Sequence, residues 1–169
     1  MRVSMIVLAL LFLTAAVYSQ PLSYHLSGGT FADGGTFGGS FSYDASTDVY
    51  SSINVVTTPG TTRPAGATYL FVCGSPDTPA CGDGISPFPN SVIFLPNTGS
   101  AIGQPSLFLV FGSLANELFS ATVFVTGDNE GDCTNAACTT VTAATDRHIN
   151  NGGTIGSSEP LFEYLYFGS

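Results

Sequence analysis

Short apolar runs separated by glycine and proline are the feature that most limits how this chain can fold. The sequence contains 20 glycines and 10 prolines, and no long stretch has the apolar spacing of a helix face. The runs between these turn-forming residues are rich in valine, isoleucine, threonine, phenylalanine and tyrosine, which favour strands. The sequence therefore predicts many short strands joined by turns, with one short helical segment at residues 113–119.

The clearest single strand begins after the glycine-rich residues near position 35. Phe37, Phe41 and Tyr43 have the same parity, so their side chains would point to one face of an extended chain. Gly39 has no side chain on that face, which would let another backbone or ring lie close. We therefore expect the three aromatic rings to face a core.

A second strand follows the turn sequence DASTD and completes a predicted hairpin. Val49, Ile53 and Val55 are expected on one face of this strand, and Asp44 is expected to hold the turn through its side chain. The other predicted strands are residues 67–72, 91–95, 106–111, 118–125, 138–144 and 163–167.

This pattern predicts an all-β, single-domain antiparallel β-sandwich of the jelly-roll kind over residues 20–169. Residues 1–19 combine Arg2 with an apolar run too short for a comfortable membrane span, which predicts a signal peptide. An uncleaved anchor is the alternative. We expect a secreted protein, either extracellular or periplasmic.

The charge balance of the chain excludes several classes of partner. The formal net charge is −9, and the only cations after residue 19 are Arg63 and Arg147, because the chain contains no lysine. Nucleic acids and anionic membrane surfaces both bind proteins through basic surfaces. We therefore expect neither partner, whereas neutral polysaccharides, cations and further copies of the chain remain compatible.

Four cysteines form two local pairs along the sequence, which predicts disulfide bonds in an exported chain. Cys73 and Cys81 bracket GSPDTPA, and Cys133 and Cys138 bracket TNAA. The sequence leaves the connectivity open, and we favour the two local bonds because each pair brackets a turn-rich loop. A zinc site would require closer spacing than either pair has.

No motif in the sequence predicts catalysis, and we name no catalytic residue. A histidine is the usual base in nucleophilic hydrolysis. His25 is expected on a frayed end, and His148 lies beside Asp146 in a polar loop. Glu117 is the one carboxylate closely flanked by apolar residues, but a glycoside hydrolase needs a second carboxylate that the sequence does not single out.

The acidic loop TGDNEGDC, residues 126–133, is the strongest candidate for a binding site. Asp128, Glu130 and Asp132 alternate along it, and two glycines allow the loop to wrap tightly. Calcium takes about six to eight oxygen ligands, which carboxylates clustered on a loop supply. The loop lacks the closing glutamate of an EF-hand. The pattern is compatible with a calcium site of another kind, whereas a solvated acidic loop held by Cys133 explains it equally simply.

Two stretches of the chain resemble a group of small exported bacterial proteins of the PEP-CTERM-associated type. They are residues 34–58, GGTFGGSFSYDASTDVYSSINVVTT, and residues 131–155, GDCTNAACTTVTAATDRHINNGGTI. The resemblance implies an exported β-rich domain of unassigned function. The segment after SSEP, residues 157–160, has neither the apolar span nor the basic cluster of the sorting tail. That departure predicts release into the medium or the periplasm.

Three functional hypotheses follow from the sequence. The leading one is an exported, non-enzymatic surface or extracellular-matrix module with a structural or adhesive role. The second is a calcium-assisted carbohydrate-binding module with Tyr24, Phe31 or Tyr50 as an aromatic platform. The third is a glycoside hydrolase with a carboxylate pair. Aromatic rings exposed on the surface would favour the carbohydrate-binding module. Two carboxylates that face each other across a cleft would favour the glycoside hydrolase. A smooth polar surface would favour the structural module.

Overall fold

A computed structural model describes this chain as an all-β protein, in agreement with the sequence-based prediction. The described residues are 21–44, 46–74, 91–111, 122–127, 129–136 and 138–157. The predicted signal peptide, the helical segment at 113–119 and the strand at 163–167 lie outside them. None of the described residues belongs to a helix with the length and hydrophobicity needed to cross a lipid bilayer.

The strands are numbered in chain order. They are Leu22–Phe31 (β1), Thr36–Asp44 (β2), Val49–Thr57 (β3), Ala67–Tyr69 (β4), Phe71–Val72 (β5), Ser91–Leu95 (β6), Pro105–Phe111 (β7), Thr122–Gly127 (β8), Asn129–Asp132 (β9), Arg147–Asn151 (β10) and Thr154–Ser157 (β11).

All pairings between these strands are antiparallel. β1 pairs with β2, β2 with β3 and β3 with β4, while β5 pairs with β6 and β6 with β7. β7 then pairs with both β8 and β9. β8 pairs in turn with β11, and β9 pairs with β10. β10 and β11 both return to β1. Because only Leu70 separates β4 from β5, the sheet nearly closes on itself.

Three bent segments allow this closure. β4 and β5 flank Leu70, a single residue separates β8 from β9, and Gly152 and Gly153 separate β10 from β11. β4 and β5 pair with different strands, β3 and β6. β8 and β9 share β7 as a neighbour, and β10 and β11 share β1, but the two halves of each segment differ in their other neighbour. Such interruptions bend a strand and increase its twist, so that one continuous sheet can enclose a core.

The predicted hairpin is present as β2 and β3. Phe37, Phe41 and Tyr43 are all buried, as their parity predicts. A side chain at Gly39 would overlap the carbonyl oxygen of Asn54, so the close backbone approach is also confirmed. The Asp44 carboxylate accepts hydrogen bonds from the backbone N–H and the hydroxyl of Ser46, which holds the turn.

A β-bulge changes the predicted facing of β3. Val55 is fully buried, but Val49 is 44% exposed and Tyr50 is buried in its place. The register with β2 shifts where Ser52 adopts a φ of 50°. The extra residue reverses the inward and outward sides, so the prediction that Val49 shares a face with Val55 is wrong.

Two further local predictions are wrong. Residues 138–144 form no strand and contribute only a single bridge between Cys133 and Val141. His25 lies inside β1, where it pairs with Ser40 on one side and Gly156 on the other, and not on a frayed end. The first strand escaped prediction because its small polar residues resemble a loop.

The core fills the interior of the closed sheet with aromatic and aliphatic side chains. The ring of Phe41 on β2 lies 5.8 Å from the ring of Phe94 on β6, although these strands are not neighbours in the sheet. Tyr24 on β1 stacks on Phe41 from the side, at 5.5 Å. This contact between opposite walls shows that burial of apolar area, the main driving force for folding, occurs inside the ring of strands.

One predicted disulfide is present. Cys133 and Cys138 are bonded with their Cα atoms 4.8 Å apart, and both residues are buried. Cys73 is also buried, at the end of β5. Cys81 lies outside the described residues, so its pairing with Cys73 remains a prediction.

Candidate functional site

Among the residues that the structure describes, the densest group of charged side chains lies inside the nearly closed sheet, between its β3–β4 side and its β9–β10 side. We name it the ion cluster. Its members come from the β1–β2 turn, the β3–β4 loop, β9 and β10, and they are Asp33, Arg63, Glu130, Asp132 and Arg147. The cluster contains both arginines that follow residue 19.

Glu130 and Arg147 form the centre of the ion cluster. They are register partners on β9 and β10, and their side chains are 0% and 1% exposed. The Nε and Nη2 groups of Arg147 donate hydrogen bonds to one carboxylate oxygen, Oε2, at 2.8 and 2.5 Å. Charge-assisted bonds of this kind compensate for the cost of removing both groups from water.

The other oxygen of Glu130 accepts two hydroxyl hydrogen bonds from the opposite side of the interior. Tyr69 on β4 donates at 2.6 Å and Thr57 on β3 donates at 3.0 Å. Burial and the adjacent Glu130 charge raise the pKa of the Tyr69 phenol far above its usual value of 10.0. Tyr69 therefore remains a hydrogen-bond donor at any physiological pH.

Arg63 approaches Glu130 from the β3–β4 loop and also reaches Asp132 at the rim. Its Nη1 donates to Asp132 Oδ1 at 2.7 Å, and its Nε lies 3.5 Å from Glu130 Oε1. Desolvation opposes the charged form, but the Asp132 hydrogen bond and the two carboxylate charges raise the pKa of Arg63. Arg63 thus links the buried carboxylate to the partly exposed one.

Asp33 attaches the β1–β2 turn to the cluster and to the β3–β4 loop. Its carboxylate accepts backbone hydrogen bonds from Gly35, Thr62 and Arg63, and it lies 3.5 Å from Arg147 Nη1. Burial alone would raise the pKa of Asp33. The Gly35 hydrogen bond, the Arg147 charge and the two remaining bonds outweigh burial and lower the pKa below 3.8.

The guanidinium of Arg147 also has partners other than Glu130 and Asp33. Besides its bonds to Glu130, its Nη1 donates to the carbonyl of Thr58 at 3.0 Å. Its Cζ atom lies 4.0 Å from the centre of the Phe31 ring, which is a cation–π contact. Its side chain is 1% exposed, so its role in this conformation is internal.

The structure places the predicted calcium ligands in different environments. Glu130 is fully buried and ion-paired, and Asp132 is 29% exposed and paired with Arg63. Asp128 lies outside the described residues. No group of three or more metal-ligating side chains meets within the described part of the chain. Calcium binding at this loop stays a hypothesis, in which the two described carboxylates would have to exchange an arginine for the ion.

The aromatic platform proposed for carbohydrate binding is not present. Tyr24, Phe31 and Tyr50 are 2%, 2% and 6% exposed, because each ring faces the interior of the closed sheet. A platform requires rings that stand on the surface, so this prediction is wrong.

The histidines and acids considered for catalysis are dispersed. The His148 side chain is 72% exposed and lies 3.7 Å from Asp146, as neighbours on a polar strand end. His25 is on the outer face of β1, and Glu117 lies outside the described residues. Glu130 has its carboxylate enclosed by hydrogen-bond donors, so a polysaccharide cannot reach it in this conformation.

The outer face of β11, β1, β2 and β3 carries hydroxyl and amide side chains in register. Ser23 is opposite Ser42, and His25 is opposite Ser40. Ser23 and Ser42 share a hydrogen bond of 3.2 Å across the strands. We name this surface the neutral face. Its outward residues are Ser23, His25, Ser27, Thr36, Gly38, Ser40, Ser42, Ser51, Asn54, Val56, Thr154 and Gly156. The one aspartate on the same side of these strands, Asp44, lies at the end of β2, opposite Val49.

Sequence reasoning missed the roles of Asp33, Arg63 and Arg147. One signal could have identified the arginines. The chain has many carboxylates and only two arginines after residue 19, and a charged side chain that is buried must be paired. No signal in the sequence indicates Asp33, which meets Arg147 across 114 positions. Comparison with family models, curated proteins and solved structures gave no match to this chain.

Proposed function

We propose that this protein is an exported, non-enzymatic structural or adhesive module of a surface or extracellular matrix. The observation that carries the proposal is the neutral face, a sheet surface of hydroxyl and amide groups on a chain with a net charge of −9. The described strands place their charged groups in the interior cluster or at strand ends. A broad part of the surface is thereby left uncharged.

The chemistry of the neutral face suits a neutral polysaccharide or another copy of the chain. Serine and threonine hydroxyls and the Asn54 amide both donate and accept hydrogen bonds, which matches the hydroxyl groups of a sugar polymer. An uncharged surface also avoids the repulsion that two acidic copies would otherwise experience at close range. Binding through such a face should depend little on salt.

Export is part of this proposal. The apolar segment at residues 1–19 supports it, as does the likeness of residues 34–58 to exported PEP-CTERM-associated proteins. The Cys133–Cys138 disulfide is compatible with an extracellular or periplasmic location. We further propose that the closed sheet is flattened so that its opposite walls pack as in a β-sandwich, which the Phe41–Phe94 contact supports.

The test combines polysaccharide pull-down with sedimentation velocity on the oxidised protein lacking residues 1–19. We expect binding to an insoluble neutral polysaccharide, self-association, or both, with little change between low and physiological salt. Ser40→Glu with Asn54→Glu places charge on the neutral face and should abolish the interaction. Thr98→Glu, on an exposed loop away from that face, should leave it intact.

Two results would overturn the proposal. One is a monomer that binds no neutral polysaccharide at any salt concentration. The other is release of soluble sugars from the polysaccharide, which would show a hydrolase.

A further inference from the structure

Asn151 is the only asparagine in the sequence that is followed by glycine. It is the last residue of β10, it is exposed, and Gly152 and Gly153 connect it to β11. Its side-chain oxygen Oδ1 accepts a hydrogen bond from the backbone N–H of Gly153 at 3.0 Å. This bond folds the carboxamide over the intervening Gly152 peptide, in the manner of an Asx-turn.

We propose that Asn151 is a site of spontaneous deamidation in the folded protein. The Gly153 N–H polarises the Asn151 carboxamide, which makes its Cγ atom a better electrophile. Gly152 has no side chain to shield its backbone nitrogen from that carbon. The folded turn therefore holds a polarised carboxamide next to a backbone nitrogen that no side chain covers.

The reaction needs only water. The Gly152 nitrogen loses its proton and forms a bond to Asn151 Cγ, the bond between Cγ and Nδ2 breaks, and ammonia leaves with the transferred proton. Water then opens the resulting cyclic imide at either carbonyl. One product is aspartate, and the other is isoaspartate, in which the main chain runs through the former side chain. No group is oxidised or reduced.

The isoaspartate product should open the β10–β11 turn. Isoaspartate adds a carbon to the main chain next to Gly152, where a Cβ atom would overlap the carbonyl oxygen of Val125. Asn151 also pairs with Thr30 of β1, so the extra length disturbs a register that closes the sheet. Both products add a negative charge to an acidic chain. The modification would therefore weaken the closure as the protein ages.

The test is peptide mapping by mass spectrometry after incubation at mildly alkaline pH, with enzymatic methylation to detect isoaspartate. Asn150 is the internal control, because it is exposed on the same strand and is followed by asparagine. We expect product at Asn151 and not at Asn150, formed at least as fast in the native protein as in urea. Asn151→Gln should lose the product.

Equal conversion of Asn150 and Asn151 would overturn the proposal. Conversion of Asn151 that is slower in the native protein than in urea would also overturn it. Both comparisons use the wild-type chain, so they hold even if Asn151→Gln fails to fold.

Discussion

Arg147 donates two hydrogen bonds to a single carboxylate oxygen of Glu130, its register partner on the neighbouring strand. The pair alone would align only β9 with β10. Tyr69 and Thr57 bind the other Glu130 oxygen, so the same carboxylate also holds β4 and β3. Glu130 thus connects β9 and β10 with β3 and β4 across the interior. The ion cluster therefore ties two distant parts of the sheet together.

Replacing Glu130 with glutamine should strongly destabilise the protein. Glutamine keeps the shape but leaves Arg63 and Arg147 without their shared counter-charge. Removing one partner of a buried ion pair lowers the free energy of unfolding by about 3 to 5 kcal/mol. The free energy of unfolding from urea titration measures this loss.

Asp132→Asn is the matched control for Glu130→Gln. It removes the other carboxylate that Arg63 contacts, at a position that is 29% exposed. We expect a loss of about 1 kcal/mol, because Asp132 is partly exposed to water and Arg63 keeps its contact with Glu130. Equal losses in the two variants would contradict a central role for Glu130.

Asp33 should make the protein sensitive to acid. Its folded pKa lies below the ordinary value of 3.8, so its ionised form is favoured by folding. The stability it contributes is present above that ordinary pKa and is lost as the pH falls through the lower, folded pKa. Asp33→Asn should be less stable near neutral pH and lose less stability on acidification.

The measurement for Asp33 is the thermal midpoint of both proteins between about pH 6 and pH 2, the range in which carboxyl groups titrate. The difference in thermal midpoint between wild type and Asp33→Asn should become smaller towards low pH. A difference that stays constant across the range would show that Asp33 acts through packing and not through its charge.

Removing the Cys133–Cys138 disulfide should cost about 2 kcal/mol, the chain-entropy value for a short loop. The bond holds the loop that follows β9, where Thr142 N donates to the Asp132 carbonyl. A double Cys133→Ser, Cys138→Ser variant tests this loss by urea unfolding, with the other two cysteines left intact. An unchanged midpoint would show that the loop needs no covalent link.

Calcium should leave the melting temperature unchanged. Glu130 and Asp132 already have arginine partners, so calcium would have to displace a charge that is held in place. A site filled at about a hundred times its dissociation constant would add about 2.7 kcal/mol, a shift of several degrees. A shift of that size between EDTA and calcium, lost in Asp128→Asn, would instead establish the acidic loop as a metal site.

Local patterns in the sequence determined the strand class and many strand positions. The predicted strands at residues 91–95 and 106–111 follow from short apolar runs. The β2–β3 hairpin follows from alternation and from turn residues such as Asp44. These signals act between residues that are close along the chain, so they hold without knowledge of the fold. The same reasoning identified Cys133 with Cys138, which are separated by 5 positions.

Only the tertiary structure decided which groups meet. The bulge at Ser52, the burial of Tyr24 and Tyr50 and the enclosure of Glu130 all depend on how the sheet closes. Closure brings Glu130 to Tyr69 across 61 positions and Arg147 to Asp33 across 114. The acidic pattern of residues 128–132 is the same for a solvated loop, a calcium site or a buried ion pair. Which of these three states the carboxylates adopt depends on how far distant strands bury them and on the opposite charges that those strands place beside them.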